Sequence, residues 1–243
     1  MPKPHIHPDP ESLARRLADR LQDQARDAIA ERGAFHLVLA GGGTPRKLYE
    51  ALARPERRDR LDWSRVHIYF GDERCVPPDH PDSNYRMARI ALLDQVPIPA
   101  RQVHPILTAM ETVRGDAAAY ARVLAGKAPP GPTGLPRFDL VLLGLGEDGH
   151  TASLFPRTCI LGERERPVAA VYVPHLKSWR VSLTLPVLRQ ARALWVLATG
   201  TAKADILGRI WREPDAGLPV QALADLDGLE WHLDEAAAEQ IPI

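Results

Sequence analysis

Nine histidines occur in the chain, and one of them stands apart. His150 closes the stretch Gly144-Leu145-Gly146-Glu147-Asp148-Gly149-His150, directly after the apolar run Phe138 to Leu143, with Asp148 two residues before it. An unperturbed imidazole titrates near pH ~6.5, so at neutral pH much of it is free to accept a proton from water. The plainer account of the same spacing is a structural histidine that caps the next helix. Three other stretches place glycine or charge where the chain should turn: Gly41-Gly42-Gly43-Thr44, Asp72-Glu73-Arg74 and Thr199-Gly200-Thr201-Ala202-Lys203. Glycines let backbone approach a ligand closely, and a helix opening at Thr44-Pro45 aims unpaired N–H groups and its positive dipole end at that spot. Gly42, Gly43 and Thr44 are thus candidate contacts of a phosphate cradle, or parts of a tight turn with no ligand. Lys203 and Arg180 are candidate cations for the same phosphate, or ordinary surface charges. Asp72 and Arg74 stand at a strand end, where the usual outcome for such a cluster is local ion pairing in a solvated turn.

The glycines before His150 also satisfy G-x-G-x-x-G through Gly144, Gly146 and Gly149. A dinucleotide site would want an acid at the end of the next strand, about 20 residues on. That strand ends Val173-Pro174-His175, with no acid. The motif therefore does not indicate a nicotinamide cofactor. The Gly41 stretch likewise lacks the spacing of a Walker A loop.

These residues need elements to hold them. Asp9-Pro10 can cap and open a helix with Leu13, Leu17, Leu21, Ala25, Ala28 and Ile29 on one face, ending at Gly33. Phe35 to Ala40 and Val66 to Phe70 read as strands, with a loop over Asp72 to Ser83 and a helix over Asn84 to Leu93 opened by Ser83. A longer helix is expected from about Glu111 to Leu124. Phe138 to Leu143, Val168 to Val173, Arg180 to Leu185 and Ala193 to Ala198 are further runs of strand length, and a helix is expected over Ala202 to Trp211. Strands alternating with helices imply an α/β fold, one domain over residues 1–243, with a mainly parallel Rossmann-like sheet and helices on both faces. Ligands of such sheets lie beyond the carboxyl ends of the strands. The loops carrying Gly41, Asp72, His150 and Lys203 all follow expected strands, so they should crowd one edge.

Composition narrows the partners. Lys plus Arg equals Asp plus Glu at 31 each, which leaves no global field for nucleic acid or an anionic membrane. The first residues, MPKPHIHPDPES, have no apolar core like that of a signal peptide, and no run reaches the roughly 18 apolar residues of a membrane span. A cytoplasmic location is expected. Cys75 and Cys159 suit a reducing compartment and stand in no metal-ligand pattern.

In order and spacing, LAGGGTPRKLYEAL, FGDERCVPPDHPDSNYRMA, FDLVLLGLGEDGHTASLFP and RVSLTLPVL resemble the 6-phosphogluconolactonase family, over about Gly41 to Lys203. GEDGHTASLFP is the most specific string. The resemblance implies hydrolysis of 6-phospho-D-glucono-1,5-lactone to 6-phosphogluconate in the oxidative pentose phosphate pathway, without metal or organic cofactor. It implies that the Gly42 to Thr44 loop, Lys203 and Arg180 hold the phosphate, that Asp72 and Arg74 contact the sugar ring or the reacting carbonyl, and that His150 activates water, with Asp148 beside it. The expected partner is a small phosphorylated lactone, with no nucleic acid and no membrane, and the expected state is a monomer or weak homodimer.

The related glucosamine-6-phosphate deaminase/isomerase family shares the glycine cradle and the D-G-H core but reads DGHIAFNEP. Leu154 and Phe155 replace its Asn and Glu here, and a phenylalanine cannot carry a proton. A third reading, a non-catalytic sugar-phosphate sensor, would want a basic DNA-binding extension that this sequence does not offer. Two departures from the lactonase pattern stand nearby: Arg157-Thr158-Cys159 follows Pro156 where a glycine and a small loop are common, and HLKSWRVSLT lacks the usual prolines.

Overall fold

Asp9 caps the first helix as its sequence demands, its carboxylate accepting from Ser12 N–H at 2.7 Å, and Gly33 ends it in the left-handed region at φ 81°. Between them α1 (Pro10–Arg32) buries Leu13, Leu17, Leu21, Ala25 and Ala28 completely. The computed structural model describes residues 2–108 and 112–242. Its strands are β1 (His5–His7), β2 (Phe35–Leu39), β3 (Val66–Phe70), β4 (Asp72–Arg74), β5 (Leu140–Gly144), β6 (Val168–Val173), β7 (Ser178–Leu183), β8 (Leu194–Ala198) and β9 (Leu229–Asp234). The remaining α-helices are α2 (Gly43–Leu52), α3 (Pro55–Arg58), α4 (Asn84–Ala88), α5 (Val113–Lys127), α6 (Leu185–Leu188), α7 (Ala204–Arg212) and α8 (Glu235–Ala238). None among the described residues is long and apolar enough to cross a membrane.

Six strands form a sheet in the order β1-β9-β8-β5-β2-β3, every neighbouring pair parallel. Its central strands are apolar along their whole length, as burial on both faces requires, with all of β8 buried. The chain runs from β2 outward to β3, then returns to the other side of β2 to lay down β5, β8 and β9. The winding thus reverses between β2 and β5, the place where open α/β sheets bind ligands. Two buried tyrosines fix the strand ends there. Tyr49 OH donates to Ala40 C=O at 2.8 Å and accepts from Ala40 N–H at 2.9 Å, and Tyr120 OH bonds both backbone groups of Phe70.

Three expectations need correction. The runs at Val168 and Arg180 do not join the parallel sheet; β6 and β7 pair antiparallel from Val168↔Leu183 to Val173↔Ser178 and with β4 form a separate three-stranded sheet. The four residues 174–177 that join them are too few for a parallel crossover, which takes a dozen or more. The Asp72 stretch is strand, not loop, at its first three residues. Helix α2 begins at Gly43 rather than after a Thr44 cap, because Gly42 adopts φ 100°, open only to glycine without strain. The helix expected over Asn84 to Leu93 is present and capped by Ser83, α to Ala88 and a π turn over Arg89–Leu93. Of the helix expected from Glu111, that residue lies outside the described ones, and α5 starts at Val113.

At the β3 edge, His36, His67 and His104 stack as a ladder, with ring centroids 4.9 and 5.6 Å apart, and Tyr69 lies 4.8 Å from His104. Burial, then repulsion from His67, pushes His36 and His104 down to about 4, with Arg32 adding to the first and Lys127 to the second. Between pH 6.5 and 4 the unfolded chain therefore binds protons that the folded one refuses, so stability present above pH 6.5 is lost on acidification. From pH 7.5 to pH 5, His104 is expected to contribute on the order of 1–2 kcal/mol of that loss. Urea midpoints at the two pH values for wild type and His104→Gln measure it; an equal drop in both proteins excludes His104 as a source.

Candidate active site

Adjacent strands β8, β5, β2 and β3 deliver their loops side by side, and the loops enclose a cavity of about 320 Å³. Gly42, Gly43, Thr44, Asp72, Arg74, His150, Arg180 and Lys203 all line it. Asp148 does not line it; its Oδ1 lies 2.5 Å from His150 Nδ1 and also accepts from His150 N–H at 3.1 Å. Burial pushes the Asp148 carboxyl up, but the hydrogen bond and charge of His150 outweigh that and hold it below the usual carboxylate range. The carboxylate thus keeps a proton on Nδ1 and leaves Nε2 to accept one. Phe155 stacks on the imidazole, ring centroids 4.0 Å apart, and so fixes its plane.

The turn that carries His150 is shaped by its glycines. A Cβ on Gly146 would fall 2.0 Å from His150 Nδ1 and 2.8 Å from Asp148 Oδ1, so only glycine leaves room for the pair. Gly149 sits at φ 81° against Leu218. Beyond the histidine, Thr151 Oγ1 donates to Gly144 C=O at 2.9 Å, and Ala152 is held at φ 47°, a left-handed backbone that a residue with a Cβ adopts only where its surroundings enforce it. Ser153 then turns inward to donate to Asp72 Oδ2 at 2.6 Å. The two alternating-residue faces of β4 explain the rest: Asp72 and Arg74 share one face, and the antiparallel register sets Ser182 opposite Asp72 and Arg180 opposite Arg74.

Facing guanidiniums on paired strands repel. Burial, then the Arg74 charge, lowers Arg180 from its ordinary value. Among the described residues no carboxylate lies within 4 Å of either guanidinium; Arg74 donates to Asp82 C=O at 2.7 Å, and Arg180 donates to Trp179 C=O at 3.0 Å and to Ser178 Oγ. Among the described residues Lys203 has only the exposed Glu147 at 3.6 Å as an ionic partner. Three cations with so little compensation, beside the N–H groups at the start of α2, make a site that favours an anion with more than one charge. No group of three or more His, Cys, Asp and Glu among the described residues is placed to hold a metal ion.

Three contributors escape a reading of the sequence. Asn84, 4% exposed, donates through Nδ2 to Asp72 C=O at 2.9 Å and Oδ1 at 3.1 Å, and its amide occupies the space a Cβ on Gly41 would need. Ser153 holds the other Asp72 oxygen. Asp234, at the end of β9, accepts from Gly200 N–H at 2.9 Å and so anchors the turn before Lys203. Each is a polar residue whose partner lies well away in sequence; Asn84 and Ser153 stand inside strings of the family resemblance, and Asp234 stands in none.

Known proteins share this sequence pattern and this fold. The family described as glucosamine-6-phosphate isomerases/6-phosphogluconolactonase matches residues 8–231. The 6-phosphogluconolactonase of Synechocystis is 43% identical over 217 residues, 88% of each chain, and that of Mycobacterium leprae is 38% identical over 98% of this chain and 97% of its own. The solved 6-phosphogluconolactonase of Trypanosoma brucei superposes with a TM-score of 0.86 at 31% identity, covering 98% of both chains. With a family match over residues 8–231 and relatives at this identity, the chain belongs to the glucosamine-6-phosphate isomerase/6-phosphogluconolactonase family, on its lactonase side.

Proposed function

We propose that this chain hydrolyses 6-phospho-D-glucono-1,5-lactone to 6-phospho-D-gluconate, in the cytoplasm, with His150 as the general base. The observation that carries the mechanism is the Asp148–His150 pair at 2.5 Å, which leaves Nε2 as the proton acceptor beside an anion-binding cavity. Nε2 takes a proton from water as the oxygen attacks the lactone carbonyl, and the resulting imidazolium returns it to the ring oxygen as the C–O bond breaks. One water is consumed and one carboxylic acid is formed. Arg74, beside Asp72, meets the negative charge that develops on the carbonyl oxygen. Gly42, Gly43 and Thr44 N–H groups, Lys203 and Arg180 hold the phosphate, whose binding energy fixes the reacting carbon over the water.

The same cavity speaks against deamination. Phe155, where the deaminase string carries glutamate, is packed flat on His150 and offers no group that can exchange a proton.

The test is acid release from freshly generated lactone, corrected for spontaneous opening. Acceleration by wild type is expected, and in Lys203→Ala the KM is expected to rise by about tenfold or more with kcat nearly kept, because an anchor on the phosphate binds ground state and transition state alike. No acceleration by wild type removes the activity; an unchanged KM in Lys203→Ala removes the lysine from the phosphate site.

A further inference from the structure

Glu73 lies between two residues that line the cavity, yet it does not line it. It is 2% exposed, on the opposite face of β4 from Asp72 and Arg74. A buried carboxylate is costly unless donors surround it. Four do so here. Oε1 accepts from Arg74 N–H and Asn84 N–H, each at 2.8 Å, and Oε2 accepts from Tyr85 N–H at 2.8 Å and Ser83 Oγ at 3.1 Å. No cation takes part. The carboxylate therefore clamps the first turn of α4 to β4, drawing together two segments ten residues apart.

What the clamp delivers is the Asn84 side chain. From its place at the start of α4, Asn84 spends both amide hydrogens on Asp72, one on the backbone carbonyl and one on Oδ1. Its amide also packs where Gly41 has no side chain, so the Asp72 strand and the glycine loop are spaced by the same group. Ser153 meets the other Asp72 oxygen from the His150 loop. A carboxylate that faces substrate needs its orientation fixed from behind, and both of its oxygens are held by neutral donors here.

We propose that Glu73 is a positioning residue for the reaction, setting the Asp72 carboxylate through Asn84 without touching substrate. The inference rests on the lactonase reading above. If Glu73 acts through Asp72, its loss should matter only while Asp72 can do its work.

The experiment is a double-mutant cycle in the lactone assay with Glu73→Gln, Asp72→Asn and the pair, each checked for folding by its melting transition. Glutamine keeps the shape but turns an NH2 toward donors. Glu73→Gln is expected to lower kcat by about 10- to 100-fold, the scale of a small misplacement of a reacting group, with KM changed far less. The pair is expected to be no slower than Asp72→Asn alone. Should Glu73→Gln not fold, Asn84→Ala, which leaves the clamp in place, enters the same cycle with the same expectation. Equal fold-losses from Glu73→Gln, or from Asn84→Ala, in the wild-type and Asp72→Asn backgrounds overturn the inference, as do undiminished kcat in a folded variant and wild-type kcat in Asp72→Asn. An active wild type with an additive cycle defeats only this inference; an inactive wild type defeats the lactonase reading and the inference with it.

Discussion

His150→Ala is expected to fold as wild type does and to lose about 10² to 10⁴ in turnover, the usual contribution of a general base. The fold should tolerate the change because the side chain is 29% exposed at the rim of a cavity, and its partners are Asp148 and Phe155 rather than the sheet core. The loss should fall on kcat. The proposed phosphate ligands lie on the β2, β7 and β8 sides of the cavity, away from the loop that carries the histidine. Asp148 loses its imidazole partner but keeps the backbone N–H of residue 150, and at 38% exposure its carboxylate can be hydrated. Steady-state kinetics on the folded variant decide the matter: a rate within a few-fold of wild type means that another group activates the water, whereas a raised KM at normal kcat means that His150 binds substrate and does no proton transfer.

Much of this site could be read from sequence because a parallel sheet converts a one-dimensional rule into a three-dimensional one. Any loop that follows a strand emerges on the same edge, so Gly42, Asp72, His150 and Lys203 were brought together by counting strands alone. Arg180 reaches the cavity by a different route. It stands on β7 of the small antiparallel sheet, and its position depends on pairing with Arg74, more than a hundred residues earlier. That sheet was illegible because β4 is only Asp-Glu-Arg, three charged residues with no apolar alternation to mark a strand. The outer strands β1 and β9 were missed for a related reason: His-Ile-His is too short to carry a period, and Leu-Glu-Trp-His-Leu-Asp hides Glu230 and His232 inside the sheet, where Arg20 pairs with the glutamate at 2.9 Å. Asn84 and Asp234 act on partners that no local pattern names. The glycines before His150 are plain in the sequence, and their dinucleotide-like spacing lacks the acid such a site needs, but what they accomplish depends on the geometry of the turn.

That geometry makes Gly146→Ala the sharpest expectation after the histidine itself. The backbone at Gly146 is not in the left-handed region, so alanine costs little through its own dihedral angles. The added Cβ, however, would sit 2.0 Å from His150 Nδ1 and 2.2 Å from Cε1, distances that no carbon accepts, and 2.8 Å from Asp148 Oδ1. The ring cannot retreat while keeping its place, since Phe155 lies against one face. Either the imidazole swings off its carboxylate or the turn opens and breaks the Gly146 N–H bond to His150 C=O, which is 2.9 Å long. Both outcomes leave the base present but misaimed, and a loss of about 10² to 10⁴ in kcat, approaching that of His150→Ala, is expected with every chemical group intact. Gly144→Ala is the matched control. Its Cβ would meet only Gly41 C=O at 3.6 Å, an ordinary contact, so activity within about tenfold of wild type is expected. A dinucleotide turn would use its first glycine for the tight bend and its second for close approach to pyrophosphate, and would suffer at both. Kinetics of the two alanine variants therefore separate the explanations: a severe loss at Gly146 with Gly144 spared means that the glycine exists to admit the histidine, and comparable losses at both, or a tolerant Gly146, mean that it does not.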